Sequence, residues 1–212
     1  MVCGLSNSSN RTGQEIIFLG RSNVGKSTLL RQLIGKKVRV GRKPGVTLKP
    51  NQFFLDDLLL TDMPGFGFMH GVQKQKNEQI KSSIIRYLEE HSDRILLAVQ
   101  VIDAGSFVDL VDRWSMRNEM PIDVEFFHFL HDLDLDVVIA VNKIDKLGDV
   151  ECGLDAIVQR LGMYPPWRQW RDQLALICAK KGQIDELREL IKSRLHAIKR
   201  DDLLKHFSSI VR

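Results

Sequence analysis

The sequence predicts an α/β fold, with a mostly parallel six-stranded sheet and helices on both faces. Short β-rich runs alternate along the chain with stretches of helical periodicity, which is typical of this class. Residues 95–99 and 137–141 are continuously apolar, as expected of strands that helices cover on both sides. In such a sheet, ligands bind beyond the carboxyl ends of the strands. We therefore look for functional residues where strands end.

Six segments have the composition and length of strands, and they define the predicted sheet. They are residues 15–19, 49–55, 58–62, 95–103, 136–142 and 174–178. Turn residues or helical patterns separate them, which favours crossover connections between parallel strands.

Helices are predicted where apolar residues recur every three or four positions. A helix over residues 28–33 follows the first strand, and Ile80, Ile84 and Leu88 share one face of another. Pro121 is suited to open a third helix. Apolar stripes define the third and last helices: Ile122, Phe126, Phe129 and Leu133 in one, and Ile184, Leu187, Ile191, Leu195 and Ile198 in the other.

Composition indicates an ordinary globular protein. The chain has 212 residues, of which 43% are hydrophobic and 27% charged, which excludes collagen-like, disordered and coiled-coil classes. No apolar run approaches the roughly 20 residues of a membrane span, and no secretion signal opens the chain. Cys3, Cys152 and Cys178 form no C-x-x-C pair, so neither a disulfide framework nor a zinc site is indicated. We expect a cytoplasmic monomer, with one domain over residues 14–205 between tails at 1–13 and 206–212.

The charge is unevenly distributed, although the net charge is only +4. Residues 118–142 carry six acidic residues and no Lys or Arg. Residues 36–49 carry six basic residues and no acid: Lys36, Lys37, Arg39, Arg42, Lys43 and Lys49. Such runs are usually solvated faces, but a basic run can also bind phosphate.

The strongest motif is G-x-x-x-x-G-K-S at residues 20–27, between the first predicted strand and the first helix. The two glycines allow successive main-chain N–H groups to point at a phosphate, and the helix N-terminus adds positive charge. In such a loop Lys26 reaches the terminal phosphates and Ser27 binds Mg²⁺. A merely Gly-rich turn is the alternative. The predicted phosphate site comprises Gly20, Arg21, Ser22, Asn23, Val24, Gly25, Lys26, Ser27 and Thr28.

A second motif, D-x-x-G, ends the third strand at Asp62, Met63, Pro64 and Gly65. Asp62 is suited to hold Mg²⁺ through water, and the Gly65 N–H can approach a γ-phosphate because no Cβ blocks it. Between the two motifs, Gly45, Val46 and Thr47 form a loop whose threonine can complete the Mg²⁺ shell. On its own, each would be an ordinary turn.

A third motif, N-K-x-D, predicts guanine specificity. Asn142, Lys143 and Asp145 follow an apolar strand, and the Asp145 carboxylate can accept two hydrogen bonds that adenine does not offer. A charged turn is the alternative. After the last strand, a main-chain N–H of Cys178, Ala179 and Lys180 can contact the guanine carbonyl. An ATP-using enzyme is disfavoured by Asn142 and Asp145.

This ordered set resembles the EngB family among TrmE-Era-EngA-EngB-like P-loop GTPases, over about residues 14–205. The specific marks are G-R-S-N-V-G-K-S and D-M-P-G-F-G-F. Asn142, Cys178-Ala179 and Val46 differ from many bacterial members, which indicates an archaeal-type branch. The resemblance implies the three-layer P-loop GTPase fold, GTP and GDP as ligands, Mg²⁺, and a role in large-subunit ribosome assembly. Lys26, Thr47 and Gly65 are then the catalytic residues, and Ser27, Thr47 and Asp62 the Mg²⁺ ligands.

Phe66 predicts slow intrinsic hydrolysis, on the order of 10⁻³ s⁻¹ or below, because an aromatic residue cannot orient the attacking water. The resemblance implies a K⁺ ion near Asn23 as one source of transition-state charge. Arg39, Arg42, Lys43 or a partner group is another. A scaffold for cell division or septation, with little hydrolysis, is the alternative function that Phe66 leaves open.

The resemblance suggests ribosomal RNA as the partner of the basic residues 36–49. Three further features have two interpretations each. Phe66 and Phe68 either anchor a partner or pack internally, and the aromatic and arginine residues of 164–171 either stack on RNA or pack a loop. His128 and His131 are surface histidines rather than metal ligands, because no third ligand is evident.

Overall fold

The structure is a computed structural model that describes residues 13–35, 50–67 and 74–208. Its sheet has the six predicted strands: β1 (Glu15–Gly20), β2 (Asn51–Leu55), β3 (Leu58–Asp62), β4 (Ile95–Asp103), β5 (Val137–Asn142) and β6 (Leu174–Ile177). The strand order is β2-β3-β1-β4-β5-β6. Only the β2–β3 pair is antiparallel, and every other pair is parallel. The predicted, mostly parallel sheet is therefore confirmed.

Six α-helices of the described residues connect and cover the strands. They are α1 (Lys26–Ile34), α2 (Lys74–His91), α3 (Phe107–Ser115), α4 (Ile122–Asp132), α5 (Val150–Arg160) and α6 (Asp185–Ala197). Neither α3 nor α5 was predicted from the sequence. Pro121 lies at the N-cap of α4, immediately before the helix that it was predicted to open.

Two hydrophobic clusters cover the two faces of the sheet, because successive side chains of a strand point to opposite sides. Ile17 and Leu19 of β1 belong to the cluster formed with α2, α3, α4 and α5. Ile16 and Phe18 belong to the other cluster, with α1, α6 and the 3-10 helix Asp201–Phe207. The result is the predicted three-layer arrangement.

Several element bounds differ from the sequence-based predictions. β1 extends one residue further, to Gly20, β5 begins at Val137 and not at residue 136, and β6 ends at Ile177 and not at residue 178. α1 begins at Lys26, two residues before the predicted helix. β2 begins at Asn51, after Pro50, which has no N–H to donate to a ladder, and the predicted start of this strand at residue 49 lies outside the described residues. Ile198, predicted to extend the apolar stripe of the last helix, follows the end of α6 and is 44% exposed. Phe207 is fully buried, so core packing continues past the predicted domain end at residue 205.

Candidate functional site

The predicted site residues that the structure describes follow the carboxyl ends of β1, β3, β5 and β6. These strands run in the same direction, so the loops after them meet at one edge of the sheet. The edge carries an open cavity of about 390 Å³, lined by Gly65 and seven residues between Arg21 and Thr28. The topology thus brings the first two predicted motifs to one cavity.

The phosphate loop passes from β1 into α1 through a left-handed residue. Gly25 has φ 100° and caps α1, which begins at Lys26. A Cβ at Gly25 would clash with the Asn142 amide, so the close approach of the two loops requires glycine there. N–H groups at the very start of a helix have no helical partner, which suits this end of α1 to bind an anion.

Lys26 and Ser27 point toward β3. The Lys26 ammonium pairs with a carboxylate oxygen of Asp62 and also donates to the main-chain oxygen of Met63 over 2.6 Å. The Ser27 hydroxyl lies 3.4 Å from the other Asp62 oxygen. Two hard oxygen donors therefore meet beside the cavity, and such a donor set fits Mg²⁺.

The guanine-specificity motif is connected to the phosphate loop by a buried side chain. Asn142 donates from Nδ2 to the Val24 carbonyl over 2.7 Å, and its Oδ1 accepts the Ala179 N–H over 3.0 Å. Lys143 also reaches the phosphate loop, donating to the Asn23 carbonyl over 2.9 Å. The loops after β1, β5 and β6 are thus joined by direct hydrogen bonds.

Asp145 follows β5, and two side chains hydrogen-bond to its carboxylate. Its carboxylate accepts from the Lys181 ammonium over 2.9 Å and from the Cys178 thiol over 3.2 Å. These hydrogen bonds, that of Lys181 foremost, keep the pKa of Asp145 below its ordinary value. The carboxylate is therefore ionised at neutral pH, the form that accepts two hydrogen bonds.

Three neighbours of the site were missed in the sequence. Asp103 pairs with Lys143 over 2.5 Å, Lys181 pairs with Asp145, and Asp123 of α4 pairs with Arg21. Asp103 ends a predicted strand and Lys181 follows the last motif, so their positions offered a signal. Asp123 offered none, since 102 residues separate it from Arg21.

Phe66 packs inside the protein. Its side chain is 1% exposed, and its ring lies 4.8 Å from that of Phe126 between centroids. The packing interpretation therefore holds for Phe66 in this arrangement. Phe68 lies outside the described residues, as do Gly45, Val46, Thr47 and the whole basic run 36–49.

The aromatic segment after α5 is mainly a packing element. Trp167 is 6% exposed, and its ring N–H donates to Glu151 over 2.8 Å. Arg168 binds the same carboxylate, whereas Tyr164 is 80% exposed. His128 and His131 are exposed on α4, in agreement with their interpretation as surface histidines. Within the described residues, no group of three or more potential metal ligands of the His, Cys, Asp and Glu types is found.

Comparisons with known proteins decide the family. A family model described as "50S ribosome-binding GTPase" matches residues 15–143. Relatives named "Probable GTP-binding protein EngB" include one from Methanosarcina barkeri, 53% identical over 91% of this chain and 93% of its own length. Another, from Halorubrum lacusprofundi, is 51% identical over 92% of this chain and 95% of its own.

The chain belongs to the EngB family of GTP-binding proteins. The resemblance stated from the motifs is thereby confirmed. Members of this GTPase family bind guanine nucleotides, typically with Mg²⁺. Membership of the family supports GTP hydrolysis in general as the activity.

Solved structures agree with this assignment. A crystal structure of a probable EngB protein superposes with a TM-score of 0.79 and 40% identity, covering 86% of this chain and 99% of its own. Era of Aquifex aeolicus bound to GDP·AlF₄⁻ gives a TM-score of 0.58 at 26% identity, and the match covers 87% of this chain and 56% of the Era chain. An Era complex with MgGDPNP and a segment of 16S ribosomal RNA gives a TM-score of 0.57 at 25% identity, and the match covers 88% of this chain and 57% of the Era chain. In the described part of this chain, no helix has the length and apolar character needed to cross a bilayer.

Proposed function

We propose that this EngB-family chain is a Mg²⁺-dependent guanine-nucleotide switch that acts in assembly of the large ribosomal subunit. The observation that carries the proposal is the hydrogen bonding of Asn142 to both Val24 and Ala179. These bonds join the loops proposed for phosphate and guanine into one site, as a nucleotide that spans both would require.

The phosphate part of the proposal assigns roles to residues around the cavity. Lys26 contacts the terminal phosphates, and main-chain N–H groups of the loop between Asn23 and Ser27 surround them. The pairing of Lys26 with Asp62 supports this role, because an anionic phosphate can replace the Asp62 carboxylate as the partner of the ammonium group. Gly65 lies against the phosphate loop, with its Cα directed so that a Cβ would be 3.1 Å from Ser22, and its N–H is assigned to the γ-phosphate.

For magnesium, we assign Ser27 and Asp62 as ligands, Asp62 acting through water. The two side chains lie 3.4 Å apart and supply oxygen donors of the kind that Mg²⁺ prefers. Thr47 is assigned as the third ligand on the sequence pattern alone. When bound, the ion neutralises charge on the phosphates.

Guanine specificity is assigned to Asp145, and the main chain of residues 178–180 is assigned to the base carbonyl. The ionised Asp145 carboxylate can accept from the N1–H and amino group of guanine. Lys181, which competes for that carboxylate, is half-exposed and free to move aside when the base binds.

Slow intrinsic turnover is also proposed. Phe66 occupies the position where many GTPases have a water-orienting glutamine, and its burial against Phe126 turns it away from the cavity. We assign the missing transition-state charge to K⁺ near Asn23, an exposed phosphate-loop residue with φ 68°. The basic residues 39–43 and a partner group are the alternatives.

The ribosomal role is supported by the description of the matching family model and by the 16S RNA bound in the Era complex. Residues 36–49 of this chain carry the positive charge suited to an RNA backbone, and they include Thr47, so RNA binding there would depend on the nucleotide. We propose a monomer that works in the cytoplasm.

The test is GTP hydrolysis by the full chain in KCl and in NaCl, with and without each purified ribosomal subunit. Stimulation by the large subunit, greater in KCl, is the expected result. Equal rates in the two salts would refute the K⁺ assignment. Slow turnover that neither subunit changes would instead favour the division scaffold. Competition by ATP for bound GDP at equal concentration would refute guanine specificity.

A further inference from the structure

Arg21 of the phosphate loop and Asp123 of α4 form an ion pair that the proposed chemistry does not use. The Arg21 Nε donates to a carboxylate oxygen of Asp123, and the side chains are only 14% and 2% exposed. Burial raises the pKa of Asp123, and the charge of Arg21 opposes this rise. The pair therefore holds two charges in a part of the protein largely closed to water.

The same arginine contacts the turn that carries Gly65. A Cβ on Gly67, which has φ 93°, would lie 2.6 Å from Nη1 of Arg21, so the guanidinium sits directly against this residue. The main chains of Arg21 and Phe66 form a parallel bridge, and the Ser22 N–H donates to the Phe66 carbonyl over 2.9 Å. The turn is thus attached to the phosphate loop by main-chain hydrogen bonding at Phe66 and by contact of Gly67 with the guanidinium.

Helix α4 is fixed at the other end of the pair. The Asp123 carbonyl accepts from Nε2 of Gln100, a fully buried residue of β4, over 2.7 Å. One turn further along α4, Phe126 packs on Phe66. The start of α4 is therefore attached to the sheet through the Asp123 carbonyl, and the Asp123 carboxylate joins this part of the helix to Arg21 and so to the turn.

A buried ion pair is weak evidence of a stabilising role, because apolar residues of similar volume often stabilise equally well. This pair also leaves Nη2 of Arg21 buried without a hydrogen-bond partner among the described residues. An arrangement with an unsatisfied donor is a poor choice for packing alone. The Arg21–Asp123 ion pair lies between the Gly65 turn and the sheet, where it can hold the turn in position.

We propose that Arg21 and Asp123 are positioning residues that set the Gly65 turn at the distance from the phosphate loop needed to recognise a γ-phosphate. This inference rests on the proposed function, which assigns the Gly65 N–H to that phosphate. The side chains assigned to the terminal phosphates and to Mg²⁺, those of Lys26 and Ser27, lie against Asp62 of β3 instead. Loss of the pair therefore weakens binding of the triphosphate and leaves binding of the diphosphate intact.

The experiment compares Asp123→Asn with the wild-type chain in binding of fluorescent GDP and of a non-hydrolysable GTP analogue. The expected result is an affinity for the analogue reduced about tenfold, the size of a typical coupling between sites, with GDP affinity within about twofold. Glu125→Gln is the matched control. It makes the same change on the same helix, but Glu125 pairs with Lys81 of α2 over 2.6 Å. The control should change neither affinity.

A second variant, Asp123→Ser, removes the same charge with a smaller polar side chain. Urea denaturation of both variants without nucleotide shows whether they fold as the wild-type chain does, so a folding defect is detected separately from a change in affinity. Asp123→Ser should show the same selective loss of affinity for the analogue. Equal losses for both nucleotides, or wild-type affinities in both variants, would overturn the inference. If the wild-type chain itself bound neither nucleotide, the proposed function would fail instead, so the two failures are distinguishable.

Discussion

The amide of Asn142 donates a hydrogen bond of 2.7 Å to the main-chain carbonyl of Val24, a residue 118 positions earlier in the chain. Asn142 is buried at the end of β5, and Val24 lies in the phosphate loop. This bond fixes the distance between the loops proposed to bind the base and the phosphates. Two loops from separate strands are thereby made into one site.

Replacement of Asn142 by Ala should therefore destabilise the protein before any nucleotide is added. The buried Val24 carbonyl and Ala179 N–H would each lose a partner, and together they should lower the free energy of unfolding by about 2–4 kcal/mol. Urea denaturation of the nucleotide-free chain measures this change. Asn51→Ala, at the partly exposed start of the edge strand β2, is the control and should cost less than about 0.5 kcal/mol. A similarly small effect at Asn142 would show that the loops are held together by other contacts.

Asp145→Asn should change the preferred base from guanine to xanthine. An amide replaces one acceptor by a donor, which suits the second carbonyl of xanthine and leaves the amino group of guanine unpaired. Affinity for GDP should fall by about a hundredfold or more, and affinity for XDP should rise, as measured by competition binding.

Asp149→Asn is the control for this change. Asp149 caps α5 by accepting the Cys152 N–H over 3.0 Å, and Asn is an equally good N-cap. Base preference should stay with guanine. If Asp145→Asn also kept its preference for guanine, Asp145 would have no role in reading the base.

Asp56 should make stability depend on pH in the acid range. This residue of the β2–β3 turn accepts from Lys205 over 2.8 Å and from His206 over 2.9 Å, and its pKa is lowered from 3.8 to about 2. A lowered folded-state pKa stabilises the protein above the unfolded value, and the contribution disappears as pH falls through the folded value. Asp56→Asn should therefore be less stable than wild type at pH 7, and the difference should shrink between about pH 4 and pH 2.

The measurement is the urea midpoint of both proteins across that range. Asn tolerates the left-handed backbone of Asp56, which has φ 54°, so the change removes charge without strain. Asp134→Asn is matched to it, because Asp134 is also exposed with φ 54° but lies far from Lys205 in the sequence, on the turn after α4. A difference at position 56 that was constant with pH would contradict the assignment to this ion-pair cluster.

Replacement by Ala should lower the stability of the protein much more at Trp167 than at Tyr164. Loss of the buried Trp167 side chain should cost about 3–5 kcal/mol of stability, as for other buried aromatic residues. Tyr164 is 80% exposed, and its main-chain oxygen, not its ring, accepts from Trp170, so its loss should cost less than about 0.5 kcal/mol. Thermal unfolding compares the variants. If Trp167→Ala kept normal stability and instead reduced binding to ribosomal RNA, stacking on RNA would be the better interpretation.

The six strands, four of the six described helices and the motifs of the site could be predicted from the sequence. Local order is sufficient for this, because strand composition, helical periodicity and fixed spacing are all properties of neighbouring residues. A parallel sheet also dictates that loops after its strands meet at one edge, so Gly25, Asp62 and Asn142 could be expected to lie close together. The predicted ends of β5, β6 and α1 were wrong by one or two residues, and Ile198 lies just past the end of α6, because patterns are least informative where elements end.

The contacts between side chains of distant elements became known from the folded structure alone. The pairing of Arg21 with Asp123 joins a loop to a helix 102 residues away, and no periodicity or spacing encodes it. The burial of Phe66 likewise depends on the position of α4, since its ring packs on Phe126. Such contacts depend on how whole elements pack in space, and the packing of one element on another is set by many residues at once. For this reason the chemistry of the motifs could be predicted from the sequence, whereas the ion pairs and packing contacts that hold the motifs in place could not.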